Sequence, residues 1–150
     1  MEVRILGPLE VEDETGRLVP LGSQKQRALL ALLAVHPNTV LSTDRIVDAL
    51  WGEQPPSDGP RNVRVYVSRL REVLEPNRAK RAPGRLIVTE PSGYAFRIDP
   101  ECIDAGVFER LALVARQELV DDPEASRTTI DRALHLWRDH PLANLGFEEF

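Results

Sequence analysis

The stretch RNVRVYVSRLREVL, Arg61 to Leu74, constrains this chain more than any other. Its first half alternates, with Val63, Val65 and Val67 apolar, and so imitates a β-strand. Beyond Val67 the alternation fails, while Val63, Tyr66, Val67, Leu70, Val73 and Leu74 keep an i, i+3, i+4 pattern. At about 100° per residue those six side chains fall within roughly 120° of arc, so the spacing predicts a helix. Its opposite side carries Arg61, Arg64, Val65, Ser68, Arg69 and Glu72, with Asn62 and Arg71 at the margins. The preceding EQPPSDGP reads as a loop in which Ser57 or Asp58 can cap and Pro60 suits the first helical turn, where its missing N–H has no intrahelical partner.

Four arginines on one helix sit oddly in a chain of net charge −5. The charges are unevenly spread. Residues 61–85 hold eight basic and two acidic side chains, whereas residues 1–60 hold five and nine, and residues 99–150 five and twelve. A cationic block between two anionic ones points to a polyanionic partner for the middle of the chain; the plainer reading is a solvated helix face.

The surrounding elements give that helix a context. Val3 to Leu6, Leu9 to Val11 and Leu18 to Leu21 are short β-favouring runs separated by turn residues, and predict a small antiparallel sheet. QKQRALLALLAVHP predicts a helix with a thoroughly buried apolar side, capped by Ser23 and stopped before Pro37. Asn38 to Leu41 should turn the chain into STDRIVDALWG, a second helix capped by Ser42 or Thr43 and ended by Gly52. After the arginine helix, residues 76–85 are basic and irregular. Leu86 to Thr89 and Tyr94 to Ile98, joined by EPSG, then predict a hairpin. From Pro100 the texture turns acidic and amphipathic. One helix is expected to be capped by Asp104, with Val107, Phe108, Leu111, Val114 and Ala115 on one side. A second is expected from Asp122-Pro123, with Ile130, Ala133, Leu134 and Trp137 on one side. Two such helices look like one unit of a helical repeat, which usually needs about three units to close a core. The ending LGFEEF carries no stop signal, so the chain is expected to be cut inside this second unit.

Several chemistries find no support. The single Cys102 cannot form an internal disulfide, and no Cys/His cluster has metal-ligand spacing. His36, His135 and His140 do not form a set. Asp121 and Asp122 sit at a helix start, where capping suffices as an explanation. Trp51 and Trp137 are expected in the core. No run reaches the roughly 18 apolar residues of a membrane helix, and MEVRILGPLEVED is no signal peptide, so the cytoplasm is the expected location. No enzyme, metal or cofactor is expected.

Strands, helix, helix, loop, cationic helix and hairpin follow each other in the order of a winged helix-turn-helix: an α+β fold with an N-terminal antiparallel sheet, three helices and a C-terminal wing. The third helix can lay its arginine side in the DNA major groove, which is about 12 Å wide. Arginine forks onto guanine or pairs with phosphate; Asn62 suits an adenine edge, and Val65 a thymine methyl. The wing would reach the adjacent minor groove or the backbone, and Arg78, Lys80 and Arg81 would meet phosphate.

At these residues the chain resembles a known family. LGPLEV, KQRALLALL, LSTDRIVDALWG, PP, VYVSRLR and GYAFRI, in this order, are similar to the Streptomyces antibiotic regulatory proteins, whose DNA-binding domain is of the OmpR type. FERL followed by RALHLWRDHPLA resembles the start of that family's bacterial transcriptional activation domain. One departure is Asp139-His140, where the family pattern has Gly-Pro.

The resemblance implies a winged-helix DNA-binding domain over residues 1–98 and the N-terminal part of an all-α, TPR-like activation domain over 99–150, the latter truncated. It implies a promoter-binding transcriptional activator that occupies direct repeats as a side-by-side homodimer, recruits RNA polymerase and controls antibiotic biosynthesis genes. Carried over residue by residue, the DNA contacts are Arg61, Asn62, Arg64, Ser68, Arg69 and Arg71, to which the helix face adds Val65. A second set comprises Arg78, Lys80, Arg81, Arg85, Thr89, Ser92 and Tyr94. Glu53 and Gln54 become candidate contacts to the polymerase and its sigma factor. The first strand begins almost at Met1, so no receiver-like segment is expected before it. The alternative is a protein-interaction module that has lost DNA binding and works through its TPR-like helices; such a module would not need the arginine row.

Overall fold

A computed structural model describes residues 1–79 and 81–145. Strand β1 (Glu2–Arg4) pairs antiparallel with β2 (Glu10–Glu12), Val3 opposite Val11. The third run expected in this sheet, Leu18 to Leu21, contributes only a single bridge from Leu18 to Glu12. Pro20 interrupts it, and a proline cannot donate to a ladder. On the other edge of β1, Val3 bridges in parallel to Ile103, far along the chain.

Helix α1 (Gln24–Val35) starts at a full capping box: Ser23 accepts from the Gln26 N–H while the Gln26 side chain accepts from the Ser23 N–H. From Ala28 to Ala34 every residue is buried. A helix apolar all round belongs inside the molecule, and α1 is the central post of the core. Strand β3 (Leu41–Ser42) leads into α2 (Thr43–Trp51), capped by Ser42, and α3 (Gly59–Leu74) follows the exposed loop from Gly52 to Asp58. Strands β4 (Ile87–Glu90) and β5 (Gly93–Phe96) form the hairpin over a two-residue turn, Pro91-Ser92.

That hairpin has a third member. Leu41, expected in a turn, and the cap residue Ser42 pair antiparallel with Tyr94 and Gly93, giving the order β3-β5-β4. The approach is close enough that a Cβ on Gly93 would lie 1.9 Å from the Leu41 carbonyl oxygen. Asn38, at φ +61°, fastens the end of β5: its side chain exchanges hydrogen bonds with Ile98 and its N–H donates to the Phe96 carbonyl.

A 3₁₀ turn (Pro100–Cys102) precedes α4 (Asp104–Asp121), and α5 (Pro123–Leu134) folds back on α4 after Asp122 alone, which caps it through the Ala125 N–H. The face of α5 turned to α4 is Ser126, Thr129 and Ala133, with Ser126 Oγ donating to the Ala115 carbonyl. The expected apolar side of α5 is only partly covered. Leu134 is exposed, and Trp137, expected in the core, is 42% exposed and stacks edge-on against Phe108. Small side chains let the two helices approach closely, which leaves the large ones at the rim. Trp51, likewise expected in the core, is half-buried; it stacks on Tyr66, with the Lys25 ammonium 5.9 Å from its ring centre.

The α4–α5 pair is sewn to the N-terminal sheet. Asp104, expected as the cap of α4, is instead its first helical residue and is buried, its carboxylate turned to the N-terminal loop, where it accepts the N–H groups of Ile5 (2.8 Å) and Leu6 (3.0 Å) as well as that of Ala105 (2.9 Å). Further along, the Arg138 N–H donates to the Leu6 carbonyl, Asn144 exchanges two hydrogen bonds with Leu9, and Leu145 is completely buried in the core.

Candidate nucleic-acid interface

Helix α3 divides cleanly. Val63, Val67, Leu70 and Leu74 are buried against the core, with Tyr66 and Val73 half-buried beside them. The other side exposes Arg61, Arg64, Val65, Ser68, Arg69 and Glu72. Arg61, Arg64 and Arg69 make no ion pair or side-chain hydrogen bond among the described residues. Val65 is 39% exposed in the middle of that row.

Asp58 stands at the N-cap position but makes no side-chain cap bond; its carboxylate instead accepts from Asn62 Nδ2 at 3.1 Å. Asn62, half-buried, is therefore oriented by its neighbour four residues back.

Arg71 differs from the other arginines of α3. Its Nε donates to the Ile87 carbonyl (2.7 Å) and its Nη2 to Thr89 Oγ1 (2.8 Å), so the guanidinium faces the wing. Burial pushes its pKa below the ordinary value, with Arg78 adding to that and Tyr94 and Glu75 opposing it. One turn on, Glu75 Oε1 accepts the N–H groups of Arg85 (2.9 Å) and Leu86 (2.7 Å). Among the remaining wing and loop residues, Ser92 is exposed at the hairpin turn, Arg85 and Arg81 are exposed, and Tyr94 is buried in the core between β3 and β4. Arg78 is turned back onto the Ala82 carbonyl and Glu75; Lys80 lies outside the described residues. Ser68, Arg71, Arg78 and Arg81 line an open cleft of about 540 Å³ beside the helix. Glu53 and Gln54 are exposed in the loop between α2 and α3.

Sequence reasoning read Asn38 and Pro83-Gly84 only as turns, the second of which the structure does not form, and did not single out Glu75 or the backbone-binding role of Asp104. Asn38 follows Pro37, a pairing that marks a turn; Glu75 carries no signal beyond following the helix.

No group of His, Cys, Asp or Glu among the described residues could hold a metal ion, and no described helix is long and apolar enough to cross a membrane. What the geometry offers is a rigid helix with an exposed cationic face, flanked by a hairpin.

Comparison with known proteins accords with that geometry. Residues 17–96 match the family described as "Transcriptional regulatory protein, C terminal". The transcriptional regulator RedD of Streptomyces coelicolor is 31% identical over 147 residues, covering 97% of this chain and 41% of RedD. The regulatory protein AfsR of the same organism is 36% identical over 143 residues, covering 94% of this chain and 14% of AfsR. The structure of Mycobacterium tuberculosis EmbR in complex with a low-affinity phosphopeptide superposes with a TM-score of 0.88 at 31% identity, over 96% of this chain and 38% of that one. The chain thus spans less than half the length of each of these relatives. They are regulators of transcription rather than enzymes. An OmpR-type winged helix with these relatives places the chain in the Streptomyces antibiotic regulatory protein family of DNA-binding transcriptional regulators.

Proposed function

We propose that this protein is a sequence-specific transcriptional activator that reads promoter DNA through α3. The observation that carries the reading is the row of exposed arginines, Arg61, Arg64 and Arg69, without acidic partners among the described residues, on a helix whose opposite face is fixed to the core. Unpaired guanidinium groups on a rigid element can exchange water for phosphate and guanine without first breaking an ion pair. Arg69 and Arg64 contact bases, Val65 meets a thymine methyl, and Arg61, Asn62 and Ser68 complete the surface. Arg81, Arg85 and Ser92 reach the phosphates flanking the site, as does Lys80.

Two copies bind direct repeats side by side, and Glu53 and Gln54 in the α2–α3 loop meet RNA polymerase and its sigma factor. Residues 1–98 carry DNA binding, and residues 99–150 begin an all-α, TPR-like activation domain. The genes controlled are those of secondary-metabolite biosynthesis, and the site of action is the cytoplasm. The similarity to RedD and AfsR supports this reading.

Selection of duplex sites from random DNA tests it. A directly repeated motif is the expected outcome. Inverted repeats would refute the tandem arrangement, and no enrichment would refute sequence-specific binding itself.

A further inference from the structure

One turn of α3 grips the wing at three levels. Arg71 lies in the last turn of α3, and Glu75, which follows the helix, is held one turn on by donating its N–H to the Arg71 carbonyl. Glu75 holds the backbone at Arg85 and Leu86, where the chain enters β4; Arg71 holds the Ile87 carbonyl and, two residues on, the Thr89 hydroxyl. The Arg71 guanidinium is half-buried in that position. Gly84 makes room for it: a Cβ there would lie 2.4 Å from Arg71 Nε and 2.3 Å from the Ile87 carbonyl oxygen. The other edge of the wing is fixed through β5 to β3.

We infer that Arg71 is a positioning residue, which sets the wing against α3 rather than touching DNA. This inference rests on the reading of α3 and the wing as a DNA-binding surface. The planar guanidinium supplies two donors at fixed separation, and the two acceptors on β4 match that fork. A lysine in its place keeps the charge but offers one compact ammonium, unable to span both acceptors. With the fork in place, the helix and the hairpin meet the duplex as one rigid body at a fixed spacing between the bases read and the flank gripped.

The test uses the full 150-residue chain, a duplex obtained by site selection, and the variants R71M, R71K and G84A, with R69A as reference. Without DNA, amide exchange in β4 and β5 should quicken on the order of tenfold in all three, the factor one charged hydrogen bond is worth, while α1 exchange stays unchanged. On DNA, the variants should keep the wild-type base preference in the α3 site but lose hydroxyl-radical protection at the flank covered by the wing. R71K should not restore it. The inference is overturned if wing exchange is unchanged in R71M and R71K restores wild-type binding. It is overturned equally if R71M only lowers the salt-dependence slope by about 0.9, the signature of one lost phosphate contact. If R69A and R71M both bind as tightly as wild type while exchange in the wing does quicken, the DNA-binding reading fails and the strut stands as a structural feature.

Discussion

On the N-terminal sheet Arg4 lies among Glu2, Glu10 and Glu12, and Arg138 reaches across to Glu10 and the Pro8 carbonyl. On α3, Arg61, Arg64 and Arg69 stand exposed without an acidic partner among the described residues. The chain has more acidic than basic side chains, so partners were available in number. The difference shows that position, not composition, decides which cations are neutralised. Pairing at the N-terminal sheet fastens elements distant in sequence; leaving α3 unpaired keeps its charge available to an outside anion. Arg71 lies between the two patterns, on α3 yet bonded inward.

The contrast can be broken at several points. Leu70→Ala, on the buried side of α3, should lower stability by about 2–5 kcal/mol, the range for removing a buried leucine side chain. Urea unfolding measures it; a loss below about 1 kcal/mol would mean that α3 is not anchored as described. Asp104→Ala should cost about 3 kcal/mol, because the N–H groups of Ile5 and Leu6 lose a shared buried acceptor. The surviving folded protein should bind DNA as wild type does, and a parallel fall in intrinsic affinity would show that the seam and the DNA surface are coupled.

Arg69→Ala should leave stability within about 0.5 kcal/mol yet weaken specific DNA binding by about 1–3 kcal/mol. Arg4→Ala should do the reverse, losing up to about 1 kcal/mol of stability with no change in DNA binding. Paired unfolding and binding titrations would reveal any crossover. The smallest effect concerns Asp13, whose carboxylate accepts from the Thr15 hydroxyl and from the backbone N–H groups of Arg17 and Thr15, all of which hold its pKa below the ordinary 3.8. A carboxylate lowered on folding contributes stability above its unfolded pKa and loses it as pH falls through the folded value. Wild type should therefore lose slightly more stability than Asp13→Asn as the pH drops below about 4, and identical acid profiles would remove the turn from consideration.

The three helices of the winged unit were legible because their signals are local. Ser23, Ser42 and the periodicity from Val63 to Leu74 each act within one or two turns. Strand β3 was not, since two residues carry no period and their pairing is dictated by β5, some fifty positions away. The run from Leu18 to Leu21 misled for the complementary reason: its composition favours a strand, but Pro20 withholds a donor. Trp137 looked like core because aromatics at helical spacing usually are; the close approach allowed by Ser126 and Ala133 displaced it to the rim. In the interface, the exposed arginines followed from the helix face alone. The inward turn of Arg71 depends on Gly84 and on where β4 passes, neither of which leaves a mark near residue 71.

Leu145, completely buried in the core with its carbonyl accepting from Gln24 Nε2, has a consequence for how the protein is made. Synthesis proceeds from the N-terminus, so β1, α1, α3 and the wing all leave the ribosome before Leu145 does. Until then the loop from Ile5 to Leu9 lacks the donors and acceptors of Arg138, Leu142 and Asn144, and one face of the core stays open to water. The cationic helix thus emerges well before the body that carries it is closed. Between those two moments the nascent chain presents both a charged surface and an apolar gap, and the arrival of a single leucine ends the second.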